Sequence, residues 1–208
     1  MRPIAVAGAI AMVLAASAGA EEPERRTLPL SVAVARVDGA PVVERRWVVE
    51  RLASANRVFA AAGLRFALAE VRPLPEAHAR LDTRADRHAL RERARAKVVN
   101  VFVVDRLRDV DEPSRFRQGV HWRPPPRPGV HYVILSAIAG PDVLGHELGH
   151  FFGNHRHSDT PGNIMSYDRG DGPPFFDAAQ IRVIRRHARR FLRTGEIEAV
   201  SARNGGAG

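Results

Sequence analysis

The stretch GPDVLGHELGHFFGNHRH, residues 140–157, decides how the rest of the chain is read. Gly140 and Pro141 break whatever precedes them, Asp142 is a helix-capping residue, and Gly153 is a helix stop. The spacing therefore predicts a helix from Val143 to about Phe152. At about 100° per residue, Leu144, Leu148, Phe151 and Phe152 fall on one apolar arc suited to packing on a sheet. His146 and His150 lie nearly opposite that arc and one turn apart, so both imidazoles project from one side. Two ring nitrogens so placed can reach a single metal ion at about 2.0–2.1 Å. Glu147 stands one step beyond His146, near such an ion but angled away from ligating it. A carboxylate there can take a proton from water made acidic by a metal, and can return it to a leaving amine.

A His-Glu-x-x-His pattern also arises on surface helices whose His and Glu are simply solvated. Three features of the context argue for the metal instead. The predicted helix follows a strand and a capping turn, a glycine ends it just after the second histidine, and more histidines follow at once. A catalytic zinc takes three protein ligands. The third here is His155 or His157; neighbours two apart in an extended segment sit about 6–7 Å apart, which keeps both from one ion.

At these residues the sequence resembles the metzincin clan of zinc endopeptidases, which carry HExxHxxGxxH and then a methionine-containing turn. His146, Glu147, His150 and Gly153 match. The position of the final histidine holds Arg156, with His155 and His157 on either side. A one-residue insertion in the turn makes His157 the equivalent, with Ser158 to Tyr167 following as the segment leading to the Met-turn. The resemblance implies that Met165 is an apolar floor beneath the three imidazoles. It also implies that Tyr167, two beyond the methionine as in the astacin-like and serralysin-like branches, binds the metal or hydrogen-bonds the oxyanion. The branch it suggests is pappalysin-like or a similar small bacterial-type one.

The fold so implied is α+β and zincin-like: a mixed twisted sheet with a long helix and a metal-binding helix, plus a small C-terminal lobe ending in a helix. The upper lobe would span about 28–153 and the lower about 154–200, within a metallopeptidase domain of residues 21–200. Family members bind extended peptide along a sheet edge, which would bring the strand at His131 to Ser136 near the cleft.

Working outward along the chain, Leu30 to Val37 and Leu64 to Val71 alternate as strands, the second ended by Pro73 and Pro75. Between them a helix starts near Pro41 and stops at Gly63. Asp82 to Ala96 is charged and Ala-rich, as a solvated helix would be. Lys97 to Leu107 reads as a buried strand and His131 to Ser136 as another. Asp109 to Gly129 and Asn154 to Pro174 read as loops. Asp177 can cap a last helix, with Phe176 before it and Ile181, Ile184, Ala188, Phe191 and Leu192 on its apolar face. Asp168, Asp171 and Asp177 have no spacing of a known calcium loop. His121 and His131, outside the motif, read as structural or surface residues.

The chain has 208 residues, 45% of them hydrophobic, enough for one domain with a real core. It contains no cysteine, so any metal site must be built from His and carboxylates, and disulfides are excluded. Arg2, the apolar run Ile4 to Ala16 and Ala18-Gly19-Ala20 have the form of a secretory signal peptide, residues 1–20, cleaved after Ala20. That run is shorter than the roughly 20 apolar residues a bilayer span requires, so no stable membrane anchor is expected. The location expected is secreted or periplasmic. The net charge of +9 is nearly all arginine, Lys97 being the single lysine. No arginine run is interleaved with aromatics, so solvated basic faces are expected rather than nucleic-acid binding. Residues 201–208 read as a flexible tail.

The function these readings predict is a zinc-dependent endopeptidase holding one catalytic zinc ion and acting on a peptide or protein substrate. Its metal ligands would be His146, His150 and His157, with His155 as the alternative third. Glu147 would be the general base and Tyr167 an oxyanion partner. The alternatives are a zinc amidohydrolase with a non-protein substrate and a non-catalytic zinc-containing binding protein. A purely structural site has no need of Glu147, which speaks against the last.

Overall fold

The computed structural model describes residues 25–126 and 130–200. The segments read as a signal peptide (1–20) and a tail (201–208) lie outside the described residues. The elements are β1 (Arg26–Val37), β2 (Ala40–Pro41), α1 (Arg45–Phe59), β3 (Leu64–Leu74), β4 (Arg80–Leu81), α2 (Arg84–Ala89), β5 (Val99–Val104), β6 (Arg106–Leu107), β7 (Gly119–Trp122), β8 (Tyr132–Ser136), α3 (Val143–Phe151) and α4 (Ala178–Thr194). They form an α+β domain, as the sequence predicts.

β3, β1, β5 and β8 run parallel in that spatial order, β7 closes one side antiparallel to β8, and β2 pairs the end of β1. Alternate residues of each strand face opposite sides of the sheet. Leu30, Val32, Val101, Val103, Val133 and Leu135 point to the face covered by α1, α3 and α4. Ala33, Phe102, Val104, Tyr132 and Ile134 point to the other, covered by Leu81, Leu90 and Leu107. Two covered faces explain why β5 reads as an unbroken apolar run. On the helical side Phe59 makes edge contacts with Phe66 and Phe176, while Phe152 packs against Phe66 and Phe191. This aromatic cluster joins α1, α3 and α4 to the sheet.

Several boundaries differ from the sequence reading. β3 continues through Pro73 to Leu74; among the described residues it pairs only with β1, and an edge strand tolerates a missing N–H. The helix at Asp82 to Ala96 is the short α2 followed by a 3-10 turn, and it is not wholly solvated, since Arg87 and Leu90 are buried. The strand through Leu107 divides, β6 leaving the main sheet to pair with β4. The region read as a loop contains β7, too short and too evenly half-buried to show alternation.

Asp142 stands at the N-terminus of α3 without capping it: its carboxylate accepts from Ser54 Oγ at 2.6 Å, tying α3 to α1. Gly145 faces α1, where a Cβ would make ordinary van der Waals contact with Val58 and Ala55. Asp177 does cap α4, in a reciprocal box with Gln180, and Gly195 ends that helix in the left-handed conformation.

Gly149 of α3 faces Met165 and Phe176; a Cβ at that position would stand 2.4 Å from Met165 Sδ and 3.1 Å from Phe176 Cε1. Gly149→Ala is therefore expected to destabilise the fold by about 1–3 kcal/mol through overpacking. Gly172→Ala, where a Cβ would meet nothing within 4 Å, is expected to be nearly neutral. Thermal denaturation of both variants beside the parent checks this.

Candidate metal centre

α3 carries its polar side chains on a buried face. His146 and Glu147 are each 6% exposed. Burial of such groups is tolerated only when their polar atoms find partners. His146 Nδ1 lies 2.8 Å from the carbonyl oxygen of Ile164, and His150 Nδ1 lies 2.6 Å from that of Asn154. A carbonyl can only accept, so each Nδ1 carries the proton and each Nε2 presents a lone pair.

Those lone pairs converge. His150 Nε2 is 3.2 Å from His146 Nε2 and 3.3 Å from His157 Nε2. Bonds of 2.0–2.1 Å at tetrahedral angles separate ligand nitrogens by about 3.4 Å, so the set fits one tetrahedral ion. Unprotonated nitrogens facing one another at this distance repel, and a cation between them removes the repulsion. Ligand atoms of His146, His150 and His157 all lie within 4.8 Å of one another, the one such group among the described residues. Burial holds the His146 and His150 pKa values down at about 4, favouring the neutral, ligating form. His155 also lines the cleft but does not join the group. Of the candidate calcium residues, Asp177 is engaged at the α4 cap and Asp168 accepts from the Gly170 N–H.

The turn after His157 folds back beneath α3. Ser158 N–H donates to the Met165 carbonyl, and Asn163 Oδ1 accepts from the Met165 N–H. Met165 is fully buried against Gly149. Tyr167 is 68% exposed at the rim, its ring centroid 4.5 Å from that of His157 and 6.2 Å from that of His146.

Glu147 sits between α3 and β7. A Cβ on Gly119 would stand 2.9 Å from Glu147 Cγ, so the glycine lets the strand cross close to this side chain. Burial pushes the Glu147 pKa up to about 8, opposed by a hydrogen bond from the His121 backbone N–H and by the Arg117 charge. β7, with one free edge, lines the cleft of about 610 Å³. The strand at 131–136, expected beside the cleft, is instead interior, paired on both sides by β5 and β7. Sequence reading missed Gly119 and its neighbours because they lie in a segment without periodicity.

His121 and His131, which the sequence marked as structural or surface residues, form a partly buried chain with Glu196. His131 Nε2 lies 2.8 Å from Glu196 Oε1, and His131 Nδ1 lies 2.8 Å from His121 Nε2. The carboxylate accepts, so His131 donates to it through Nε2 and accepts from His121 through Nδ1. The His131 ring stacks on Phe151 with centroids 4.0 Å apart, bracing β7 and β8 against α3. Both histidines are held neutral by burial, His121 down to about 2. With folded pKa values below the unfolded one, the unfolded chain binds more protons as pH falls. Stability is therefore full above about pH 6.5 and declines below it, approaching about 1.4 kcal/mol per pH unit for each such histidine. Melting of the chelator-treated protein at pH 7 and pH 5 is expected to show this acid loss, and His121→Gln to reduce it.

No family model matches the chain, and no curated protein matches its sequence. Solved structures do. Metalloproteinase-II from Bacteroides fragilis aligns over 81% of this chain at 14% identity and TM-score 0.54; the chain spans about half of that protein, 55%. Mirolysin aligns over 84% of this chain and 99% of its own at 12% identity and TM-score 0.58, and mature mirolysin from Tannerella forsythia has been solved with a cleaved peptide, TM-score 0.51. Archaemetzincin from Methanopyrus kandleri aligns over 81% of this chain and 99% of its own at 15% identity and TM-score 0.50. These likenesses, beside the cluster of three histidines, give the chain the zincin-like α+β fold of metzincin-type metallopeptidases.

Proposed function

We propose that the chain is an exported zinc endopeptidase. The observation that carries this reading is the convergence of three histidine Nε2 atoms beside a buried carboxylate, at the foot of a strand with a free edge. His146, His150 and His157 would hold the zinc, which when bound supplies Lewis acidity toward a carbonyl and toward water. The carbonyls of Ile164 and Asn154 orient two of the ligands. Met165 fills the space beneath α3 and keeps it dry. Glu147 would take the proton of the attacking water and deliver it to the departing amine. Tyr167, at the rim beside His157, would donate its hydroxyl to the oxygen of the attacked carbonyl. The free edge of β7 offers N–H and C=O groups to an extended peptide. The cleaved peptide held by mirolysin supports a peptide as the substrate class. Export rests on the pattern of residues 1–20; no helix of the described residues is long and apolar enough to cross a membrane.

The chain without residues 1–20 is expected to bind one zinc per molecule, measured by metal analysis after dialysis. His157→Ala should lose most of it, whereas His155→Ala should keep it; the reverse pattern would make His155 the third ligand. In a casein assay, chelator treatment should abolish cleavage and added zinc restore it. Glu147→Gln should retain zinc while lowering the rate about 10²–10⁴-fold. Zinc retained with cleavage absent in both parent and variant would favour a binding protein over an enzyme.

A further inference from the structure

The wall of the cleft beside the metal centre is built from arginine. Arg87, Arg115, Arg117 and Arg169 line it, against the carboxylates of Asp109, Asp111 and Glu147. The acids are already engaged. Asp109 is 2% exposed and accepts from the N–H groups of Asp111 and Glu112, at 2.9 and 3.2 Å, and from Arg117 Nε at 2.5 Å. Asp111 pairs with Arg84, which does not line the cleft. Glu147 is buried beneath β7.

The cations are not balanced to match. Asp109 pairs with Arg117 and stands within electrostatic reach of the buried Arg87, whose Nη2 donates to the Arg108 carbonyl. Anchored at its inner edge by Asp109, Arg117 stays 44% exposed toward the cleft, and its charge is felt at Glu147 and His157. Arg115 keeps one salt bridge, to Glu112 at 3.1 Å, and stands within electrostatic reach of Tyr167. Arg169, just past Tyr167, has no carboxylate within 4.0 Å among the described residues; its Nη1 donates at 3.5 Å to the Ile164 carbonyl, and its charge reaches His146. A peptide entering this cleft meets guanidinium groups held in place before it arrives, and guanidinium donors match a carboxylate in shape as well as charge.

We propose that this wall reads a carboxylate side chain of the substrate, so that the cleft selects peptides bearing Asp or Glu near the bond to be cut. Arg117 and Arg169 are the specificity-determining residues, and Asp109 is the positioning residue that holds Arg117. The inference rests on the peptidase reading above for the placement of the peptide, but recognition can be measured without turnover.

The experiment uses the zinc-loaded Glu147→Gln chain and two labelled peptides identical but for Glu or Gln flanking the central bond, with affinity read by fluorescence anisotropy. The acidic peptide should bind about tenfold more tightly, the size of a charge-assisted contact. That advantage should shrink as salt is raised. Adding Arg117→Gln should bring the ratio of affinities close to one. Because that change strips Asp109 of its partner, Arg169→Gln, on the exposed rim, is made in parallel; both variants are compared at equal zinc occupancy, and Arg169→Gln should lower the ratio severalfold. Equal affinities, preference for the Gln peptide, or no binding of either overturns the proposal. Selective binding of the acidic peptide with no cleavage of it by the parent chain would overturn the peptidase reading and leave acidic recognition standing.

Discussion

The structure depends on burying the polar face of one short helix. α3 places one imidazole and a carboxylate where water scarcely reaches and a second imidazole, His150, half-buried beside them, and each unsatisfied buried polar atom would cost about 1–3 kcal/mol. Three partners from outside the helix meet that demand: the carbonyls of Ile164 and Asn154 and the His121 N–H. Each belongs to a different segment, so satisfying α3 fixes the Met165 turn, the exit of the helix and the edge strand at once. The same bonds set the imidazole tautomers, leaving the Nε2 lone pairs facing a common point. The fold and the arrangement of the candidate metal site follow from one set of hydrogen bonds.

Small residues make that burial sterically feasible. Gly149 admits Met165 and Phe176, and Gly119 on β7 admits Glu147. Gly153, with φ of +97°, has the His187 ring packed where a Cβ would stand, so the helix stop also seats α4.

Much of this was legible in the sequence where a short-range rule applies. The one-turn spacing of His146 and His150, the apolar arc of α3, the Asp177 cap and the alternating strands are local patterns, and the structure carries each of them. His157, one residue later than the metzincin spacing, is the histidine that joins His146 and His150 in the cluster. What sequence reasoning missed is non-local. β7 is four residues long and half-buried, so it carries no period, yet it supplies the edge and the N–H beside Glu147. The chain from Glu196 through His131 to His121 joins residues 65 and 10 apart, a separation that no spacing rule spans. Asp142 looked like a cap by position, and the proximity of Ser54 redirected it.

The account turns on three imidazoles closing around one ion. X-ray absorption at the zinc edge of the purified, zinc-loaded chain tests this directly. The account predicts three imidazole nitrogens and one lighter ligand at about 2.0–2.1 Å, with one imidazole lost in His157→Ala. A shell of two imidazoles, a six-coordinate shell, or a spectrum unaltered by His157→Ala would contradict it.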